Sequence, residues 1–168
     1  NTQDTLVSNA YSKLLNSTPA AVPSESTNTS VTVPTISGTY RLGQEGSIKV
    51  SVYSTGNGVM FSTSGLLVSS GTVSTITPQP IGDSGLYILF SSTTNISGTV
   101  WAIDLPNKKA SDYLTNYNAY QSALNTKSSA IASASALVNQ REAELALKVA
   151  AARDADIDLA KADVLSAQ

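Results

Sequence analysis

The chain contains neither cysteine nor histidine. Without cysteine there are no disulfides, no iron–sulfur clusters and no thiol chemistry, although the compartment stays open. Without histidine the commonest general base and the commonest metal ligand are both missing. Charge is scarce too, at 13% of residues with a formal net charge of −2. A pI near 4.9 leaves no electrostatic case for nucleic acid or an anionic membrane. No apolar run approaches ~18 residues, so neither a transmembrane helix nor a signal-peptide core is expected.

Two further absences are local. No glycine follows Gly98 and no proline follows Pro106. The last third, from about Asp112 to Gln168, is instead filled with Ala, Leu, Gln, Glu, Lys and Arg, which favour helix. Some 55 residues at 1.5 Å each would make a rod roughly 80 Å long. A helix of that length needs partners. Tyr117, Leu124, Ile131, Val138, Leu145, Ala152 and Leu159 recur at intervals of seven, the period of a left-handed coiled coil. These residues, with Tyr120, are the candidate oligomer interface.

The second core row is irregular. With Leu124 at position a, position d reads Tyr120, Lys127, Ala134, Arg141, Lys148, Ala155 and Ala162. Charges at d weaken a two-stranded zipper. A second apolar stripe of Leu147, Ala150, Ile157 and Val164 implies more than one neighbouring helix, and a parallel trimer is the favoured arrangement. Surface pairs are expected at Glu144–Lys148 and Asp158–Lys161.

The remainder divides into three. Residues 1–16 hold a short amphipathic helix with Val7, Tyr11 and Leu14 on one stripe, Thr2 as its cap and Asp4 in its first turn. It reads as the end of an upstream coiled coil, a peptide docked on a partner, or a helix folded back on its own domain. Residues 17–30 (STPAAVPSESTNTS) read as a linker, extended or poorly ordered. Residues 31–107 switch to period 2, with Ile48, Val50 and Val52 facing away from Lys49, Ser51 and Tyr53. Asn57-Gly58 suits a tight hairpin. Further strands are expected at GTYRL, VMFST, LLVSS, GTVSTIT, GLYILFSS and GTVWAID, with turns at Gly82–Gly85 and Asn95–Gly98. Val100, Trp101, Ile103, Leu86, Ile88 and Phe90 are the expected core.

The fold class is therefore α+β: a short N-terminal helix, a small antiparallel all-β sandwich or barrel, and a long C-terminal helix (108–168) in a parallel, trimeric coiled coil. The tyrosines Tyr113, Tyr117 and Tyr120 are expected to fill the junction, and Ser111 with Asp112 to start the rod. A first residue other than Met and a helical pattern running to Gln168 read as a segment of a longer polypeptide.

Chemistry is thin. The β domain and its edges offer only Glu45, Asp83 and Asp104 as carboxylates, and Asp83 reads as a turn residue. Asp154, Asp156 and Asp158 lack the glycine and distal glutamate of a calcium loop. Sequons at Asn16, Asn28 and Asn95 occur in a chain where about a quarter of residues are Ser or Thr. Exposed tyrosines such as Tyr53 read first as core or contact residues and second as platforms for sugars. No catalytic residue, cofactor or metal ligand is assigned, and the chain reads as a non-enzyme.

Between Lys49 and Asp104 the only charged residue is Asp83. A charge-poor β module joined to SSAIASASALVNQREAELALKVAAARDADIDLAKADVLSAQ resembles bacteriophage tail and head fibres in architecture and composition. The resemblance implies a homotrimeric virion appendage that contacts other virion proteins and a host glycan or receptor. The alternatives are a bacterial trimeric adhesin stalk at the cell surface, or a carbohydrate-binding module.

Overall fold

The computed structural model describes residues 2–24 and 30–167. Helix α1 (Thr2–Leu15) is followed by strands β1 (Ala21–Pro23), β2 (Thr35–Gly38), β3 (Gly46–Thr55), β4 (Gly58–Gly65), β5 (Ser69–Thr72), β6 (Gln79–Pro80), β7 (Leu86–Leu89) and β8 (Val100–Leu105). Helix α2 (Tyr113–Ser166) ends the chain with 54 residues. The chain forms two compact units, Asn1–Leu124 and Asn125–Gln168. The first holds both sheets, α1 and the start of α2; the second is the rest of α2. The α+β composition expected from the sequence is present.

One sheet has the order β1-β8-β3-β4-β5, the other β2-β7-β6, and all pairs are antiparallel. Period-2 patterning places Ile48, Val50 and Val52 of β3 in the core and leaves Lys49 and Tyr53 exposed. Register then pairs like with like, with Ile48 opposite Ile103, Val50 opposite Trp101 and Val52 opposite Phe61. Leu86 and Ile88 of β7 enter the same core, and the Phe61 and Phe90 rings meet at 5.8 Å. Val100, expected in the core, is only half-buried, because it falls on the opposite face of β8 from Trp101 and Ile103. The Trp101 indole N–H is buried with no acceptor among the described residues.

The β3–β4 hairpin pairs Thr55 with Gly58, so its two-residue loop is Gly56-Asn57 rather than Asn57-Gly58. Gly58 opens β4 at φ 125, where a side chain would be strained. Thr55 Oγ1 donates to the Gly58 carbonyl at 3.0 Å and accepts the Asn57 N–H at 3.3 Å.

Three sequence expectations need correction. GTYRL is not a strand. Gly38, at φ 95, ends β2, and Tyr40 is buried outside either sheet. LLVSS and GTVSTIT give one strand rather than two: β5 starts only at Ser69 and stops at Thr72, beyond which Ser74 Oγ accepts the N–H groups of Ile76 and Thr77 at 3.3 and 3.0 Å. That local turn competes with the ladder. The stretch 17–30 is more than linker: Ala21–Pro23 adds β1 to the edge of the larger sheet, opposite Ile103, Ala102 and Trp101. Proline is tolerated there because an edge strand has one unpaired side. Three residues containing a proline show no period, so the pattern hid this strand.

The expected turns at Gly82–Gly85 and Asn95–Gly98 are present and share a device. In each, a buried hydroxyl donates to the carbonyl three residues earlier: Ser84 to Ile81 and Thr99 to Ile96, both at 2.7 Å. The same geometry closes α1, where Ser17 Oγ donates to Leu14 at 2.7 Å. All three hydroxyl residues are buried beside core side chains, so each satisfied bond removes a desolvation penalty. Thr2, expected as the cap of α1, is already its first helical residue.

Candidate functional site

Helix α1 folds back onto its own unit. Leu14 and Leu15 are buried, Leu15 belongs to the core, and Tyr11 packs against it. The half-buried or buried side of α1 is Gln3, Val7, Ala10, Tyr11 and Leu14, an i, i+4, i+7 stripe. Part of that stripe meets the start of α2. Tyr11 and Tyr120 pair at 5.2 Å, and Asn116 Nδ2 donates to Ser17 Oγ at 3.0 Å. As α2 advances from 116 to 120, its contacts retreat from 17 to 11, so α1 runs antiparallel to it.

The polar residues around this junction form one network. Asn16 accepts the Tyr40 N–H at 2.7 Å and donates to the Tyr40 carbonyl at 3.1 Å, imitating a strand neighbour. Thr18 Oγ1 donates to Asp112 Oδ1 at 3.0 Å, and Asn107 Nδ2 donates to the Thr18 carbonyl at 2.9 Å. Asp112 precedes the first helical residue, as expected for a cap, and its second oxygen accepts Asn116 Nδ2 at 3.3 Å. Of Asn16, Ser17, Thr18, Asn107 and Asn116, the sequence singled out only the first three, as a sequon, and none as part of this junction. A run of Asn, Ser and Thr directly after an amphipathic helix was the one signal available.

Beside the junction lies a groove of about 490 Å³, lined by Val22, Glu45, Asp104, Pro106, Lys108 and Lys109 among others. It brings together two of the three carboxylates weighed from the sequence, while Asp83 sits in the β6–β7 turn. Glu45 and Asp104 are both solvent-exposed. A carboxyl group acting as general acid needs a desolvated setting, which an exposed side chain lacks. Burial pushes the Tyr11 phenol up, and the Glu45 carboxylate adds to that shift. Tyr40 is also raised by burial, against the lowering effect of its bond to Gln44.

The candidate interface residues divide. Tyr117 is 39% exposed and stacks on Tyr113 at 6.0 Å. Tyr120 is engaged by Tyr11, and Leu124 is half-buried. In the second unit Ile131, Val138, Leu145 and Leu159 are 54–64% exposed. The side chain of Ala152 lies outside the described residues. Every described side chain from 128 to 167 is exposed except half-buried Glu144. Leu137, Val138 and Leu145 line one open apolar groove, and Ile157, Ala160, Val164 and Leu165 line another. Glu144 pairs with Arg141 at 2.8 Å and Gln140 at 2.9 Å, where the sequence pointed to Lys148. A guanidinium offers more donors than an ammonium. Asp158 and Lys161 pair as expected, at 3.6 Å.

Among the described residues no group of three or more His, Cys, Asp or Glu could hold a metal ion, and Asp154, Asp156 and Asp158 form none. The Asn16 amide is spent on Ser12 and Tyr40, and Ser17 of its sequon is buried. Asn95 sits exposed in a turn at φ 56, and Asn28 lies outside the described residues. No described helix is long and apolar enough to cross a membrane. The chain matches no family model, no curated protein and no solved structure.

Proposed function

We propose that this chain is a non-enzymatic structural segment of an oligomeric fibre, with the virion appendage as its setting. Three copies join through α2 in a parallel coiled coil and display the β module for attachment or adhesion to a host surface. One observation carries the reading: an apolar row, Ile131, Val138, Leu145 and Leu159, is exposed along a helix whose second unit has no cover of its own. Most of a helix's stability in a protein comes from packing its apolar face, and among the described residues this face has no packing from its own chain. Ion pairs cannot substitute over the first half of α2, since Lys127 is the only charged residue between Asp112 and Arg141. The virion setting rests on the compositional resemblance.

The test is the solution mass of residues 1–168 by light scattering, repeated on Leu145→Asp. A trimer that dissociates on substitution supports the reading. A monomer at every concentration refutes it.

A second reading has its own observation. Tyr53 and Tyr87 are 39% and 44% exposed on a nearly charge-free β unit, and such rings can stack on sugars. Glycan-array binding lost in Tyr53→Ala or Tyr87→Ala would favour a carbohydrate-binding module.

A further inference from the structure

The coiled-coil reading leaves open where along α2 the seam begins, and this inference rests on that reading. Seen as a sequence, the seven-residue row starts at Tyr117. Over its first turns, however, α2 is already held by its own chain, through Tyr11 of α1 and through Ser17 just beyond the end of α1. Asn116 is buried against Ser17, Tyr120 lies on Tyr11, and Leu124 is half-buried. Residues 116, 120 and 124 are spaced by four and so share one face of the helix. Tyr117 is occupied differently, by stacking on Tyr113. From residue 128 onward no described apolar side chain is covered.

We infer that α1 acts as a stand-in for the oligomer partner over the first turns of α2, and that a second copy's α2 enters the row only from Ile131. Two features point to a second copy as the occupant. Ile131, Val138, Leu145 and Leu159 are uncharged and β-branched or aliphatic, so self-pairing in register stacks like on like without repulsion. Arg141, the second-row cation three residues from Val138, is already paired to Glu144 within the chain. Ser128, Ala134 and Ser135, three or four residues from Ile131, share its face and are small enough to let a second helix approach closely. By contrast, a copy docked at residues 116–124 would have to displace Tyr11 and break the buried Asn116–Ser17 bond.

The absence of native cysteine makes the test direct. Single-cysteine variants Tyr117→Cys, Leu124→Cys, Ile131→Cys and Val138→Cys, each in the 1–168 chain, are oxidised and run on non-reducing gels, with solution mass recorded beforehand. The expected result is an oligomer that cross-links strongly through Ile131→Cys and Val138→Cys, and at least tenfold more slowly through Tyr117→Cys and Leu124→Cys. Equal cross-linking at all four positions overturns the inference, because α1 would then be displaced, while the oligomer reading stands. A monomeric mass with no cross-linking anywhere overturns both. Circular dichroism of each variant separates a missing cross-link from a missing fold.

Discussion

Asn116 Nδ2 donates to Ser17 Oγ at 3.0 Å across 99 residues of sequence, inside the unit where both are buried. The bond fastens the first turn of α2 to the end of α1, and Ser17 passes its own hydrogen to the Leu14 carbonyl. Asn116→Ala removes one donor and leaves Ser17 able to keep its local bond. Ser17→Ala instead leaves the Asn116 amide to its longer bond with Asp112, at 3.3 Å. Each substitution should cost about 1–2 kcal/mol in urea unfolding, with the two together costing less than their sum. Additive losses would mean the residues are not coupled.

Gly71 lies opposite Phe61 in the β4–β5 ladder, and a Cβ there would sit 2.7 Å from the phenyl ring. Phe61 is fully buried and in contact with Phe90, so the ring has little freedom to retreat. Gly71→Ala should destabilise the β unit by about 1–3 kcal/mol, as overpacking does. Adding Phe61→Leu should recover part of that loss. Unchanged stability in the single variant would show that the ring can shift.

Alkaline pH should weaken the first unit. Tyr11 and Tyr40 both have phenols raised above the ordinary value of 10.0, by burial first. A raised value means the folded chain holds its phenolic protons where the unfolded chain releases them. Stability from these groups is therefore complete below pH 10.0 and declines as pH rises through the folded values. Unfolding curves at rising pH should show that decline, and it should be shallower in Tyr11→Phe. An identical slope in the variant would remove Tyr11 from the account.

Replacing Leu145 by Asp should reduce the solution mass and the helical circular-dichroism signal together. The near-ultraviolet signal of buried Trp101 should persist, because Trp101 belongs to the β unit. Loss of the tryptophan signal as well would tie the β unit's stability to assembly.

Ile76 and Val68 offer a contrasting test, being 88% and 85% exposed. Ile76→Ser should change stability by less than about 0.5 kcal/mol, as exposed positions usually do. A larger loss would imply that Ile76 is covered in the assembled protein.

Periodicity and punctuation alone determined much of this protein. Period-2 alternation placed Ile48, Val50 and Val52 in the core, and glycine-containing clusters placed the β6–β7 turn. The absence of Gly and Pro after Pro106 determined α2 as one uninterrupted helix, because nothing in it breaks the local hydrogen-bond ladder. Such features are local, and each residue's own preference agrees with its neighbours'. Tertiary structure decided what local preference could not reach. It turned Ala21–Pro23 into an edge strand by offering β8 as a partner, and it set Tyr40 against Asn16 instead of in a ladder. It also gave α1 the first turns of α2, through side chains that are ordinary in sequence and about a hundred residues apart. Contacts over such distances depend on complementary shape and buried hydrogen bonds, and neither leaves a period in the chain.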